Sequence, residues 1–188
     1  MTAPLLIGLT GFKRSGKTTV ANLLADGYGF RVESFAAPIR RAVADILGLH
    51  EFYLERAKQD PVEWLDGLTP RHLMQTLGTE WGRAQHEDLW VRSLFRRIDV
   101  AQREAYPAAL SWVVHDVRFP NEARAIRARG GYVVRVCRGE PPDADPHASE
   151  VPLPIGLVDE TLPNLRDVAA LDDAVIELVH RLRQRGAA

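Results

Sequence analysis

Residues 11–18 read Gly-Phe-Lys-Arg-Ser-Gly-Lys-Thr and satisfy G-x-x-x-x-G-K-[ST] at every fixed position. A chain carrying this octapeptide has few ways to fold around it, because the pattern joins the end of a strand to the start of a helix. Its flanks agree. Leu5-Leu6-Ile7-Gly8-Leu9 is a short apolar run that reads as a buried parallel strand, and Thr18 to Leu24 places Val20, Leu23 and Leu24 on one helical face. The glycines permit a tight turn that presents backbone N–H groups inward, and the following helix begins where its dipole and unpaired N–H groups favour an anion. Gly11, Lys13, Arg14, Ser15, Gly16, Lys17, Thr18 and Thr19 are therefore expected to hold a nucleotide triphosphate. Lys17 supplies a point charge for the outer phosphates, and Thr18 offers a hydroxyl to Mg²⁺. ATP and Mg²⁺ are the cofactors this implies.

With 188 residues the chain has room for one α/β domain and a modest insertion. A formal charge of −1 argues against a protein that coats a nucleic acid polymer. Lys13, Lys17 and Lys58 are the only lysines, so nearly all the basic residues are arginine, the side chain suited to bidentate phosphate contacts. The single cysteine, Cys137, excludes an internal disulfide and a cysteine-based zinc site, and is expected in the core. Neither a signal peptide nor a membrane-spanning run is apparent. A soluble protein of the cytoplasm is expected, with no membrane partner; a homodimer is one of the oligomeric states left open.

Strand and helix signals alternate along the chain. Arg31 to Phe35 reads as a second strand. Pro38 opens a helix to Leu47 with Ile39, Val43, Ile46 and Leu47 on one face and Gly48 as its stop. His50 to Lys58 has the look of a short helix inside a segment, 49–69, that is otherwise hard to read. Thr69-Pro70 caps another helix, on which Leu73, Leu77 and Trp81 recur on one side and Arg71, Gln75, Thr79 and Arg83 on nearly the opposite side. Gly78 and Gly82 weaken that helix but let something approach it closely. A further helix follows Asp88 with Trp90, Leu94 and Ile98 inward. Trp112 to Asp116 is a strand, Pro120 to Arg129 a helix, Tyr132 to Val136 a strand, and a weak last strand lies near Val158 to Leu162. Leu171, Val175, Leu178 and Leu182 mark the final helix. Residues 139–156 are rich in proline and acid and read as a loop or lid. The pattern predicts a mostly parallel five-stranded sheet with helices on both faces and a helical insertion between strands two and three, about residues 37–105.

Asp116 closes an apolar strand, where an acid beside the loop would steady Mg²⁺ directly or through water. Arg118 follows two residues on, toward the same sheet edge.

Several stretches carry a resemblance. Phe35-Ala36-Ala37-Pro38-Ile39-Arg40, Leu77-Gly78-Thr79-Glu80 with Arg83, Asp88-Leu89-Trp90-Val91, Asp116-Val117-Arg118-Phe119-Pro120-Asn121-Glu122 and His147-Ala148-Ser149-Glu150 resemble the deoxynucleoside monophosphate kinases of tailed phages and some bacteria. The likeness runs from residue 5 to about 178. It implies a single P-loop kinase domain, of three-layer α/β/α form, that moves the γ-phosphoryl of ATP to a deoxynucleoside 5′-monophosphate. By the same resemblance Arg40, Arg83 and Arg118 meet the acceptor phosphate, with Arg71 a further candidate. Gln75, Thr79 and Glu80 meet its base or sugar, and Arg138 opens a lid, about 138–156, over the ATP phosphates. Lys17, Asp116, Arg118 and Arg138 are then the catalytic group, with Thr18 and Asp116 at the metal.

Two other readings remain at this point. One is a P-loop kinase of a hydroxyl acceptor, such as a nucleoside, shikimate or dephospho-coenzyme A. Such an acceptor usually needs a carboxylate to take its proton, and Ser34-Phe35-Ala36-Ala37 offers none, although Asp116 is available. The other is a nucleotide-gated regulatory ATPase that signals to a partner.

Overall fold

The computed structural model describes residues 4–139 and 152–186 of the chain. Two compact units are present, Met1–Ser34 with Leu94–Ala188 and, separately, Phe35–Ser93.

The first unit is built on a five-stranded sheet of β1 (Leu6–Thr10), β2 (Arg31–Glu33), β3 (Trp112–Val114), β4 (Tyr132–Cys137) and β5 (Glu160–Pro163), in the order β2-β3-β1-β4-β5. All four pairings are parallel, so the expected "mostly parallel" sheet is wholly so. Parallel strands need crossovers, and the helices that make them cover both faces. Leu5, Ile7 and Leu9 alternate onto one face, where they pack with α1 (Lys17–Tyr28) and α8 (Val168–Gly186) through Val20, Leu24, Val175, Leu178 and Leu182. Gly8 points to the other face, where an added Cβ would lie 2.5 Å from Ile126 and 2.9 Å from Val117. The missing side chain lets α7 (Pro120–Ala128) lie close to the sheet. The result is a three-layer α/β arrangement. β1 lies between β3 and β4, and the chain leaves it first toward one edge and later toward the other. The carboxyl end of β1 is thus a topological switch point, the place where open α/β sheets bind ligands.

β2 stops at Glu33, two residues short of the expected strand end. Its own acid ends it. Glu33 Oε2 accepts from Ser34 N (3.2 Å), and Arg97 Nη2 donates to both that oxygen (2.9 Å) and Ser34 O (2.7 Å), which diverts Ser34 from the ladder. β5 begins two residues later than expected, and Cys137 ends β4 half-buried rather than in the core.

The second unit is helical. It holds α2 (Ala37–Leu47), α3 (Glu51–Arg56), a 3₁₀ turn (Glu63–Leu65) and a continuous helical stretch made of α4 (Pro70–Gln75), a π segment (Thr76–Trp81) and α5 (Gly82–Gln85). α6 (Leu89–Glu104) follows. His50, at the head of the hard-to-read segment, caps α3 by accepting from Phe52 N at 3.2 Å, and α3 buries Leu54 completely. Thr69 caps α4 as expected, its Oγ1 accepting from His72 N at 3.2 Å. Val43, Ala44 and Leu54 form a small core joined by Leu47, Leu73, Met74 and Leu77. Burial of Ala44 turns the apolar stripe of α2, and Ile46, expected inward, is 61% exposed.

Trp81, also expected inward, is 53% exposed, and the π segment is the reason. Gly82 N–H donates to Leu77 O, a span of five residues. Each π turn admits one extra residue, which rotates everything beyond it by about 100° on a 3.6-residue helix. The buried line therefore runs from Leu77 to Gly78 and Gly82, and Trp81 swings out. The two glycines admit two neighbours. A Cβ on Gly78 would meet Ile39 Cδ1 at 2.9 Å, and one on Gly82 would meet Trp90 Cζ2 at 2.5 Å. Trp90, half-buried, donates its indole N–H to Gly78 O at 2.6 Å.

Candidate active site

The loop from Gly11 to Gly16 is shaped by backbone that few residues tolerate. Gly11 sits at φ 140° and Gly16 at φ 102°, while Arg14 is one of two non-glycine residues with positive φ among those described. A side chain at Gly11 would approach Val136 O to 2.3 Å, so the loop lies directly against the end of β4. Ser15, 4% exposed, closes the turn by donating its N–H to Phe12 O at 3.2 Å. Gly16 is the N-cap of α1 and makes no side-chain cap bond, and the first turn of α1 carries no acid. No side chain caps the N–H groups there, and no carboxylate on that turn would repel an anion. Lys17 folds back over the loop: its Nζ donates to Gly11 O and Phe12 O, both at 2.7 Å, and reaches Ser15 Oγ at 3.5 Å. Lys13, Arg14 and Thr18 are exposed and Thr19 is half-buried.

Asp116 follows β3 at the same sheet edge. Gly8 is level with Val114 across β1 and β3, and Val117 N–H donates to Leu9 O at 3.0 Å, so the ladder carries Asp116 up beside the loop. Arg118 is exposed next to it. The rest of that motif builds the helix that follows. Glu122, 3% exposed, accepts from Arg118 N (2.8 Å) and Phe119 N (3.0 Å), capping α7 behind Pro120 at its first position. Arg138 is exposed directly after β4. Most of the expected lid, with His147, Ser149 and Glu150, lies outside the described residues.

The remaining candidates belong to the second unit. Arg40 is half-buried on α2. Arg71 and Gln75 are half-buried on α4, and the Arg71 N–H donates to Lys58 O at 2.9 Å. Thr79 and Glu80 stand on the π segment, and Arg83 on α5 donates from Nη1 to Glu87 O at 3.4 Å.

Three contacts escape the sequence reading, made by Asn164, by Glu33 with Arg97, and by Trp90. Asn164, after β5, donates from Nδ2 to Ser15 O at 2.8 Å. Glu33 and Arg97 pair at the carboxyl end of β2. Trp90 holds the π segment. The first two contacts join residues 149 and 64 apart in sequence, which no local pattern reveals. Trp90 is legible as an inward apolar position and as part of the Asp88-Leu89-Trp90-Val91 resemblance, but not as the partner of Gly78, twelve residues away. Among the described residues no group of three or more His, Cys, Asp or Glu side chains gathers to hold a metal by itself.

Comparison with known proteins adds a family. The model of the deoxynucleotide monophosphate kinase family matches residues 53–175, a stretch that excludes the Gly11–Thr18 loop and so is independent of it. A curated protein of Acanthamoeba polyphaga mimivirus, described as "Putative deoxynucleotide monophosphate kinase", is 33% identical over 199 residues, covering 96% of this chain and 98% of that protein. Among solved structures, a "putative kinase" of Chloroflexus aurantiacus superposes with a TM-score of 0.50 at 16% identity, covering 96% of this chain and 98% of that one. A shikimate kinase of Aquifex aeolicus gives a TM-score of 0.48 at 14% identity over 98% of this chain and 99% of that one. The phosphate loop at the switch point, the acid beside it and these sequence matches lead to one conclusion: the chain belongs to the deoxynucleotide monophosphate kinase family.

Proposed function

We propose that the protein transfers the γ-phosphoryl group of ATP to a deoxynucleoside 5′-monophosphate, giving ADP and the diphosphate. The observation that carries this reading is the loop: a tight turn whose Gly11 and Gly16 have positive φ and lie against Val136 and Asn164 where no Cβ would fit, a helix start with no side-chain cap, and a lysine folded over it. Those features match a chain of phosphates. A divalent ion bound there would be held by the phosphates, the Thr18 hydroxyl and Asp116, as Mg²⁺ takes few protein ligands, and it would neutralise charge on the outer phosphates.

The acceptor phosphate is already an anionic nucleophile, so no side chain needs to remove a proton. The chain's part is to position two polyanions and offset their repulsion. Lys17 and the loop N–H groups hold the donor; Arg118 and Arg138 flank it, and Arg40, Arg71 and Arg83 are assigned to the acceptor phosphate. Gln75, Thr79 and Glu80 are assigned to its base and sugar. The state of Glu33 also favours a phosphate acceptor. It is the acid at the end of β2, where a hydroxyl acceptor would want a base. Its Oε2 already accepts from Arg97 and Ser34 N–H, although the expected strand end, Ser34–Ala37, carries no acid.

The test is an ADP-release assay across all deoxy- and ribonucleoside monophosphates and the free nucleosides, with Lys17→Ala alongside. Turnover driven by monophosphates, and reduced about 10²–10³-fold in folded Lys17→Ala, is expected. Turnover driven by nucleosides alone, or near-wild-type turnover in the variant, refutes the reading.

A further inference from the structure

Asn164 is one of a handful of buried polar side chains among the described residues, 7% exposed at the point where the chain leaves β5. Its main-chain N–H donates to Cys137 O at 2.7 Å, which ties the end of β5 to the end of β4. Its side chain turns the other way, into the phosphate loop. Nδ2 donates to Ser15 O at 2.8 Å, and a Cβ on Gly16 would lie 2.3 Å from the same nitrogen. The amide therefore bonds to one end of the Ser15–Gly16 peptide and lies against the other. Because a trans peptide is planar, its C=O and N–H point in opposite directions. Drawing Ser15 O toward Asn164 turns the Gly16 N–H to the far side of that peptide.

The geometry points to Asn164 as a positioning residue for the donor phosphates. It fixes the Ser15–Gly16 peptide plane before ATP arrives, so that the Gly16 N–H is already aimed for a phosphate oxygen. The assignment rests on the loop being the donor site, and it adds a specific requirement: the residue after β5 must donate a hydrogen bond, not merely fill space. An aspartate there has the same shape but, when ionised, no donor. It would place a carboxylate against Ser15 O and bring negative charge toward the phosphates. An alanine loses the same bond without adding charge.

The experiment compares wild type, Asn164→Asp and Asn164→Ala by calorimetric titration with MgATP, by steady-state KM for ATP and for the acceptor, and by thermal melting. MgATP affinity is expected to fall about tenfold in Asn164→Ala, the scale of one buried hydrogen bond, and further in Asn164→Asp. The acceptor KM at saturating ATP should move less than twofold in both. A space-filling role predicts the reverse order, with the isosteric aspartate milder than alanine. That order overturns the inference, as does unchanged MgATP affinity or an equal rise in both KM values. If Asn164→Asp does not fold, the contrast between donor and acceptor in Asn164→Ala decides. Wild-type protein that binds no MgATP would instead overturn the donor-loop reading itself, and this inference with it.

Discussion

Replacing Gly82 with alanine sets two physical arguments against each other with opposite signs. Gly82 has helical backbone angles, φ −63° and ψ −44°, so helix propensity alone predicts that Gly82→Ala stabilises the protein by about 0.8–1.0 kcal/mol. The packing predicts the opposite. The new methyl would lie 2.5 Å from Trp90 Cζ2 and 2.7 Å from both Cε2 and Nε1, whereas carbon atoms rest at about 3.5–4.0 Å. The indole must retreat by roughly 1 Å, and it is held by a 2.6 Å bond to Gly78 O. Overpacking costs about 1–3 kcal/mol. A broken bond that leaves a buried carbonyl costs about 1–3 kcal/mol more. After the propensity gain, a net loss of about 1–5 kcal/mol is expected, which for a chain of this size lowers Tm on the order of 10 °C. Differential scanning calorimetry and urea melts measure it. Gly27→Ala is the control: Gly27 is in α1 with nothing within 4 Å of an added Cβ, so it should gain up to about 1 kcal/mol. In a Trp90→Ala background, Gly82→Ala should lose its penalty. A neutral or stabilising Gly82→Ala in the wild-type background would refute the packing argument for the π segment.

Arg83→Ala is expected to raise the acceptor KM about tenfold or more, the scale of a lost charge-assisted hydrogen bond, and to leave the ATP KM within twofold. An equal effect on both, in steady-state assays, would remove Arg83 from the acceptor set. Asp99 on α6 and Arg129 after α7 pair at 2.7 Å, and the guanidinium, bonded to the carboxylate, holds Asp99 below the ordinary carboxylate range. A lowered folded pKa gives stability that is complete above the unfolded value of about 3.9 and is lost as pH falls through the folded one. Both side chains are largely exposed, so Asp99→Asn should cost less than about 1 kcal/mol at neutral pH and less again in high salt. In urea melts the two proteins should converge as pH drops through the carboxylate range; a gap that widens there would contradict the pairing.

The most readable part of the chain was the part whose causes are local. The octapeptide, its strand and its helix carry their own signals, and so do Thr69-Pro70 at the head of α4 and the stripe of α8. Ile46 and Trp81 failed for different reasons. On α2 the apolar residues outnumber the buried positions, and only the packed neighbours select Ala44 over Ile46. On the stretch from Pro70 to Gln85 the expected spacing has one constant period, and the period of the helix changes at Thr76. The two glycines were visible, and so was their invitation to a close neighbour. Ile39 and Trp90 as those neighbours were not, since both come from other helices. At the candidate site the residues on the β1 and β3 edge followed from strand ends in the sequence. Asn164 had no such marker, because its importance depends on β5 lying beside β4, an outcome of topology.

Lys17 rests on two carbonyls of its own loop. An ammonium held there offsets the repulsion between the two carbonyl oxygens, which favours the turn's shape before any ligand binds. On the proposed reading of the loop as donor site, arrival of a nucleotide would be an exchange of partners for one cation. The entropy of ordering the loop has been spent during folding, and little of the incoming ligand's interaction energy is diverted to that task.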